Sequence, residues 1–127
     1  MTPTRTPRRI LVVEDDPQGG AVIEAVLAGG GYEVRVVRDG TEALGAARDF
    51  APHLIVTDVC MPGMNGIDTM VALQPRKSGI PVIIVSGAPF SSPLEPYELS
   101  EALGASRFLP KPFRRGELLA TVRELLP

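Results

Sequence analysis

The sequence predicts an α/β domain in which a parallel β-sheet is covered by helices on both faces. Along the 127 residues, apolar runs of strand length alternate with segments whose apolar residues follow a helical period. Two of these runs, at 54–59 and 81–85, are apolar almost throughout, which is typical of strands buried on both faces. Five β–α units in succession indicate a doubly wound parallel sheet with right-handed crossovers.

Five segments are predicted as strands, and the pattern of apolar residues in each indicates whether the strand lies at an edge or in the centre of the sheet. The second alternates with period 2, so we expect it nearer an edge of the sheet. The fifth is short. In chain order the predicted strands are residues 10–13, 32–37, 54–59, 81–85 and 107–109.

The first two predicted helices begin with acidic caps. Asp16 is followed by Pro17 at the first helical position, and the glycines at 29–31 end this helix. Asp39 with Glu42 three residues later predicts the start of the second helix. The expected apolar faces are Val22, Ala25, Val26 and Leu27 in the first helix, and Ala43, Leu44, Ala47 and Phe50 in the second.

Three further helices are predicted in the second half of the chain. The third covers 65–73 and is expected to end before Pro75. The fourth runs from Glu95 or Pro96 to Leu103 and is stopped by Gly104, after a proline-rich stretch at 87–96. The fifth covers 115–126, with the expected buried side chains Leu118, Leu119, Val122 and Leu125.

The composition is that of a globular domain with an ordinary charge balance. Hydrophobic residues make up 44%, and 13 Lys and Arg against 15 Asp and Glu give a net charge of −2. This balance argues against a nucleic-acid or membrane partner. The single cysteine, Cys60, fits a reducing compartment, and no apolar run approaches a membrane span or signal peptide, so we predict a cytoplasmic protein. Residues 1–8 are expected to form a flexible arm and 9–127 the domain.

Chemically active side chains follow four of the five predicted strands. Glu14 and Asp15 follow the first strand, Asp58 the third, Ser86 the fourth and Lys111 the fifth. Ligands of open parallel sheets bind at the carboxyl ends of the strands, so we expect these side chains to meet at one edge.

Such a cluster predicts a cation and a phosphorylated substrate. Two carboxylates ~4 Å apart repel by roughly 4 kcal/mol at an effective dielectric of 20, so the cluster requires positive charge. Oxygen donors without His or Cys suit Mg²⁺ or Mn²⁺, which is commonly held by carboxylates together with a phosphate. A lysine adds a mobile positive charge, and an aspartate can itself be the nucleophile toward phosphorus.

Four segments together resemble a known family. They are VVEDD (12–16), VTDVCMPGMNG (56–66), VIIVSG (82–87) and FLPKPF (108–113), each at a strand end and in this order. Residues 8–126 thereby resemble the receiver domain of two-component response regulators, and we expect the chemotaxis-type single-domain form, with no output domain after Pro127. The resemblance implies the flavodoxin-like (βα)5 fold with strand order 2-1-3-4-5.

The resemblance also implies a role for each site residue. Asp58 would be the phosphoacceptor, and Lys111 would bridge the phosphoryl group and the acidic pocket. The metal would be bound by Asp15, by Glu14, by Asp58 and by the backbone carbonyl of Cys60. Two residues would act as switches, Ser86 at the Ser/Thr position and Phe108 as the aromatic rotamer switch. A cis bond would precede Pro112.

In such a protein, a histidine kinase or histidine phosphotransfer protein supplies the phosphoryl group in a Mg²⁺-dependent reaction that the receiver itself catalyses, as it does the later dephosphorylation. The face made by the fourth helix, fifth strand and fifth helix would then change for a downstream protein target or a phosphorelay. We expect a monomer or weak dimer. In this chain, Glu14 replaces the more common Asp, and the interval between Ser86 and Lys111 is a few residues long for the family.

Simpler roles and other functions compete with this interpretation. Asp16 is expected to be a helix N-cap rather than a metal ligand, and His53 a surface or packing residue. A protein-docking module of the same fold that works without phosphate is the main alternative. A phosphatase or flavin carrier is disfavoured, because Cys60 stands where such phosphatases carry an acid and because Glu14 and the acids after it would repel a flavin phosphate.

Overall fold

In the computed structural model, the described residues are 6–58, 60–61, 64–87, 98 and 101–127. The first part of the predicted arm, Val59 and most of the proline-rich stretch and predicted fourth helix lie outside these residues. The described strands are β1 (Arg9–Val13), β2 (Glu33–Val37), β3 (Leu54–Asp58), β4 (Cys60–Met61), β5 (Met64–Asn65), β6 (Val82–Ser86) and β7 (Arg107–Pro110).

Five of these strands form a parallel sheet in the order β2-β1-β3-β6-β7. Counted along the chain, this is the expected order 2-1-3-4-5, and β2 lies at an edge as its alternating pattern predicts. β3 and β6 are buried at every position, in agreement with their continuous apolar runs. The remaining two strands, β4 and β5, form a small antiparallel pair that the sequence did not predict.

The helices include one that was not predicted. They are α1 (Pro17–Gly29), α2 (Gly40–Asp49), α3 (Gly66–Leu73), α4 (Pro75–Ser78) and α5 (Arg115–Leu125). Pro75 does not merely end the third helix, because it begins the one-turn α4 as its first helical residue. Proline suits this position, since its missing N–H has no intrahelical partner there and its φ is already helical. Of the predicted fourth helix, Glu98, Glu101 and Ala102 are helical.

The two predicted acidic caps are present. Asp16 accepts hydrogen bonds from the backbone N–H groups of Gln18 and Gly19, at 3.4 and 3.2 Å. Asp39 accepts a shorter one from the N–H of Glu42, at 2.8 Å. These bonds satisfy N–H groups that the first turn of a helix leaves without partners.

The apolar face predicted for α1 was partly wrong. Val22 is 59% exposed and Ala25 is also exposed, whereas Ile23 is buried together with Val26 and Leu27. The positions 23, 26 and 27 fall on one helical stripe, and this stripe lies against the sheet. On α5, Leu118 and Val122 are buried as predicted, while Leu119 and Leu125 are only partly buried.

The sheet separates two hydrophobic clusters. Alternate residues of β1 point to opposite faces, so Ile10 and Val12 join one cluster while Leu11 and Val13 join the other. The first cluster includes buried residues of α1 and α5, and the second includes residues of α2 and α3. The polar edge at the strand ends therefore rests on a sheet that is packed from both sides.

An arginine holds the end of the predicted fourth helix against α4. The guanidinium of Arg76 donates to the backbone carbonyls of Glu101, at 2.7 Å, and Ala102, at 3.3 Å. Gly104 follows with φ +86°, a left-handed conformation that glycine adopts without strain. This matches the expectation that Gly104 ends the helix.

The opposite end of the sheet carries His53, which has a structural role. Its Nδ1 accepts a hydrogen bond from the N–H of Arg9 at 2.9 Å. Desolvation by burial and the nearby charges of Arg9 and Arg8 lower the pKa of this imidazole. Within the described ranges, no helix is both long and apolar enough to cross a bilayer.

Candidate functional site

The site lies at the carboxyl edge of the sheet, where the strand order reverses. β1 and β3 are neighbours although β2 lies between them in the chain, and ligands of open α/β sheets bind at such a point. Glu14 directly follows β1, and Asp58 is the last residue of β3. Ser86 ends β6, and Lys111 comes directly after β7. Asp15 follows Glu14, so all five residues that the sequence predicted for this edge come at the ends of strands.

A lysine bridges the two carboxylates. The Nζ of Lys111 lies 2.7 Å from Oδ2 of Asp58 and 3.1 Å from Oε2 of Glu14. The carboxylates are nearly enclosed, with side-chain exposures of 7% for Asp58 and 3% for Glu14, whereas the lysine is 28% exposed. Charge-assisted hydrogen bonds of this kind are among the stronger ones in proteins, and here they hold two like charges together.

Burial beside a second carboxylate changes the pKa of Glu14. Desolvation by burial and the charge of Asp58 raise its pKa from 4.5 to about 7, although Lys111 acts in the opposite direction. The site therefore stabilises the neutral form of one carboxyl group near neutral pH. An additional cation at the site would favour its charged form.

Lys111 remains a cation. Burial acts to lower its pKa, but the hydrogen bond and charge of Asp58, together with those of Glu14, outweigh burial and raise it. A fixed positive charge beside Asp58 can stabilise negative charge that develops there during a reaction.

The backbone at the end of β6 fixes the position of the lysine. The N–H of Lys111 donates to the carbonyl of Ser86 at 2.9 Å, and the Lys111–Pro112 peptide bond is cis, as the resemblance implied. The next residue, Gly87, faces the stem of the lysine side chain. The only signal for Gly87 in the sequence is a glycine placed directly after a strand end, and no role was expected for it.

The two expected switch residues have different surroundings. Ser86 is 5% exposed at the end of β6. Phe108 is half-buried in β7 opposite Ile84, and it packs against the cluster that includes Met70 of α3. Ser86 ends β6 at the site and is opposite Pro110 of β7. Phe108 lies two residues before Pro110 in β7, so the two switch residues are on neighbouring strands.

The expected metal ligands are only partly brought together. Asp15 is half-buried beside Glu14, and Asp16 caps α1 as predicted. Within the part of the chain that the structure describes, no three His, Cys, Asp or Glu side chains form a group that could hold a metal ion. Cys60 lies in β4, and its expected contribution is through the backbone. Two carboxylates, Glu14 and Asp58, do share one cation, the ammonium of Lys111.

That donor set fits magnesium. Mg²⁺ takes hard oxygen ligands and is usually held by one or two carboxylates, with waters and substrate phosphates completing its shell. Glu14 and Asp58 supply two such carboxylates at one point, where Lys111 contacts both of them.

A cleft opens beside the lysine. It has a volume of about 510 Å³ and separates the first turns of α1 from the residues that follow β7. Its lining includes Gly19, Val22, Gly87, Lys111 and Phe113. The cleft thus joins a largely apolar surface to the charged edge of the sheet.

The fold and the site define a doubly wound α/β domain with an acidic, lysine-bridged site at its switch point. The model of the family described as "Response regulator receiver domain" matches residues 10–123. The chain therefore belongs to the response regulator receiver domain family.

Curated relatives and solved structures agree with this assignment. The DNA-binding response regulator MtrA of Mycolicibacterium smegmatis is 38% identical over 119 residues, which are 94% of this chain and 50% of that protein. The transcriptional regulatory protein PrrA of Mycobacterium tuberculosis is 36% identical over 121 residues, 95% of this chain and 51% of that protein. The chain thus spans about half the length of the curated relatives it matches.

Among solved structures, the chemotaxis response regulator CheY4 of Vibrio cholerae is similar with a TM-score of 0.80 and 31% identity. The comparison covers 94% of this chain and 99% of that one. A putative response regulator from Chloroflexus aurantiacus is similar with a TM-score of 0.83 and 30% identity, over 95% and 98% of the two chains. These likenesses extend over nearly the whole of both chains.

Proposed function

We propose that this receiver domain accepts a phosphoryl group on Asp58 from the phosphohistidine of a histidine kinase or phosphotransfer protein. The observation that carries the proposal is the ammonium of Lys111, which contacts Asp58 at 2.7 Å and Glu14 at 3.1 Å at the switch point of the sheet. Family membership supports it, because receiver domains are the phosphoryl-accepting partners of such kinases.

In the proposed reaction, a carboxylate oxygen of Asp58 attacks the phosphorus atom in line. The O–P bond forms while the N–P bond of phosphohistidine breaks, and the imidazole nitrogen leaves with the bonding pair. Later, water attacks the same phosphorus and releases inorganic phosphate, which restores the carboxylate. The receiver catalyses both steps on itself.

Lys111 supplies the fixed positive charge for this chemistry. Its ammonium already contacts the nucleophilic carboxyl group, so it can neutralise phosphoryl oxygens without a large rearrangement. Glu14 on the other side of the ammonium keeps Nζ from moving away toward solvent.

We propose Mg²⁺, or Mn²⁺ in its place, as the cofactor. Glu14, Asp15, Asp58 and the backbone carbonyl of Cys60 would hold it, directly or through water. When bound, the ion would balance the charge of the carboxylates and of the phosphoryl oxygens. Burial and the charge of Asp58 raise the pKa of Glu14 in spite of Lys111, and a bound cation would favour the charged form of this carboxyl group.

Phosphorylation would act on the rest of the molecule through Ser86 and Phe108. The aspartyl phosphate would carry about −1.5 to −2 charges at pH 7, which attract the hydroxyl group of Ser86. Phe108 lies in the neighbouring strand β7 and would turn inward as β6 adjusts. The face made by the predicted fourth helix, β7 and α5 would then present a different surface to a partner protein or relay.

The proposed partners are proteins, with the chain acting as a monomer or weak dimer in the cytoplasm. The DNA binding named for MtrA belongs to a protein of about twice this length. The 127 residues described by this sequence have a net charge of −2, which gives no electrostatic support to a nucleic-acid contact of their own.

The proposal is tested by intact mass after incubation with Mg²⁺ and acetyl phosphate. Wild type should gain one phosphoryl group, and omission of Mg²⁺ or the substitution Asp58→Asn should abolish the gain. Asp49→Asn, at an exposed aspartate that ends α2, is the matched control and should be labelled like wild type. Absence of labelling in wild type, while another receiver is labelled in parallel, would favour the docking module that works without phosphate.

A further inference from the structure

Gly87 lies directly against the side chain of Lys111. A Cβ atom placed on Gly87 would lie 3.0 Å from Cβ of Lys111, 3.6 Å from its Cδ and 3.8 Å from its Cγ. Three successive carbons of the lysine stem therefore pass over the position where any other residue carries a side chain. The glycine forms a flat surface along which the stem extends toward Asp58.

The close approach is fixed by the backbone. The residue before the glycine, Ser86, accepts a hydrogen bond from the N–H of Lys111 at 2.9 Å. To admit a methyl group, the two segments must give by a few tenths of an ångström, which stretches this bond, and the bond continues the pairing of β6 with β7. The crowded lysine atom is Cβ, which moves only with the backbone, whereas a flexible side-chain end could turn away.

We propose that Gly87 is a positioning residue for Lys111. Its missing side chain lets the lysine stem follow the one path that brings Nζ within hydrogen-bond distance of both Asp58 and Glu14. A side chain at position 87 displaces the stem by a few tenths of an ångström, which weakens the contact of Nζ with the more distant carboxylate, that of Glu14. The consequence for phosphoryl transfer rests on the proposed function, whereas the effect on the lysine does not.

The backbone conformation at position 87 does not itself require a glycine. Its φ lies outside the left-handed region, so an alanine there adopts an ordinary conformation. The penalty of Gly87→Ala is therefore confined to the contact with Lys111. Gly45 in α2 offers a matched control, because a Cβ on this glycine meets nothing within 4 Å.

The first test observes the lysine itself, in unphosphorylated protein. An ammonium held between two carboxylates is protected from exchange and gives a resolved ¹⁵N–¹H signal, which Lys111→Met identifies by its loss. We expect the signal in wild type and in Gly45→Ala, and its shift or loss in Gly87→Ala. Coincident signals in the two glycine variants would overturn the proposal.

The second test measures the rate at which acetyl phosphate labels Asp58 at saturating Mg²⁺. A misplacement of about 1 Å can cost roughly 100-fold in rate, so a shift of a few tenths of an ångström should slow labelling of Gly87→Ala by roughly 3-fold to 10-fold. Because this effect acts through Nζ, Gly87→Ala should change the rate by less than about twofold when Lys111→Met is already present. An equal fall in both backgrounds would mean a general structural role instead.

The outcomes separate this proposal from the proposed function. If wild type is not labelled at all, the function fails, and the ammonium signal still decides the role of Gly87. If Gly87→Ala does not fold, the wild-type contact is measured by nuclear Overhauser effects between Hα of Gly87 and the Hγ and Hδ protons of Lys111. Their absence would overturn the proposal without any variant.

Discussion

Glu14→Gln should change how the stability of the protein depends on pH. Glu14 is 3% exposed, and its pKa rises from 4.5 to about 7 through burial and the charge of Asp58. The folded state therefore binds more protons than the unfolded chain between pH 4.5 and 7. The stabilisation by the protonated form is complete below pH 4.5 and is lost as the pH rises to about 7.

The magnitude follows from the size of that shift. At about 1.4 kcal/mol for each pKa unit, the whole effect amounts to about 3 kcal/mol. Between pH 5 and pH 8, the wild type should lose about 2–3 kcal/mol of unfolding free energy that a neutral glutamine does not lose. Glu14→Gln should thus gain stability relative to wild type by this amount over the same interval.

Urea unfolding in EDTA at pH 5, 6, 7 and 8 measures the difference. Glu24→Gln removes an exposed glutamate of α1 and serves as the control, with an expected pH profile within about 0.5 kcal/mol of wild type. If the profiles of Glu14→Gln and wild type remain parallel from pH 5 to pH 8, the electrostatic description of the site is wrong.

Three further predictions concern other contacts and are tested by urea or thermal unfolding. Lys111→Met removes the shared cation, and we expect a loss of roughly 1–3 kcal/mol at pH 7, with unchanged stability as the contradicting result. Asp39→Ala should cost about 1–2 kcal/mol and more than Asp16→Ala, because its capping bond is 2.8 Å long, whereas the two bonds of Asp16 are 3.2 and 3.4 Å long; the reverse order would refute this. Gly104→Ala should cost at least ~1–2 kcal/mol, since φ is +86° and a Cβ would lie 3.0 Å from Cγ of Arg76; a neutral effect would contradict the crowding.

The sheet and its polar edge could be predicted because both follow from short-range patterns. Continuous apolar runs define β3 and β6, and parallel strands necessarily bring their carboxyl ends to one edge. The cap residues Asp16 and Asp39 were predictable for a similar reason, since a capping side chain acts within three residues of itself. The position of Asp58 beside Lys111 followed from family resemblance and strand order.

Features that depend on distant packing could not be predicted. In α1, Val22 and Ile23 are both apolar, and only contact with the sheet determines which of them is buried. Pro75 is compatible with ending one helix or beginning the next, and here it begins α4. The role of Gly87 depends on a lysine that lies on a different strand connection, so no local pattern indicates it.

The bridge made by Lys111 also bears on how the protein is synthesised. Lys111 lies 97 positions after Glu14 in the chain and 53 positions after Asp58. During translation, both acids leave the ribosome well before their shared cation does, so a partly made chain carries the acids without it. The charge balance of the site is therefore completed only once position 111 has emerged, which makes the bridge a late contact in the synthesis of this domain.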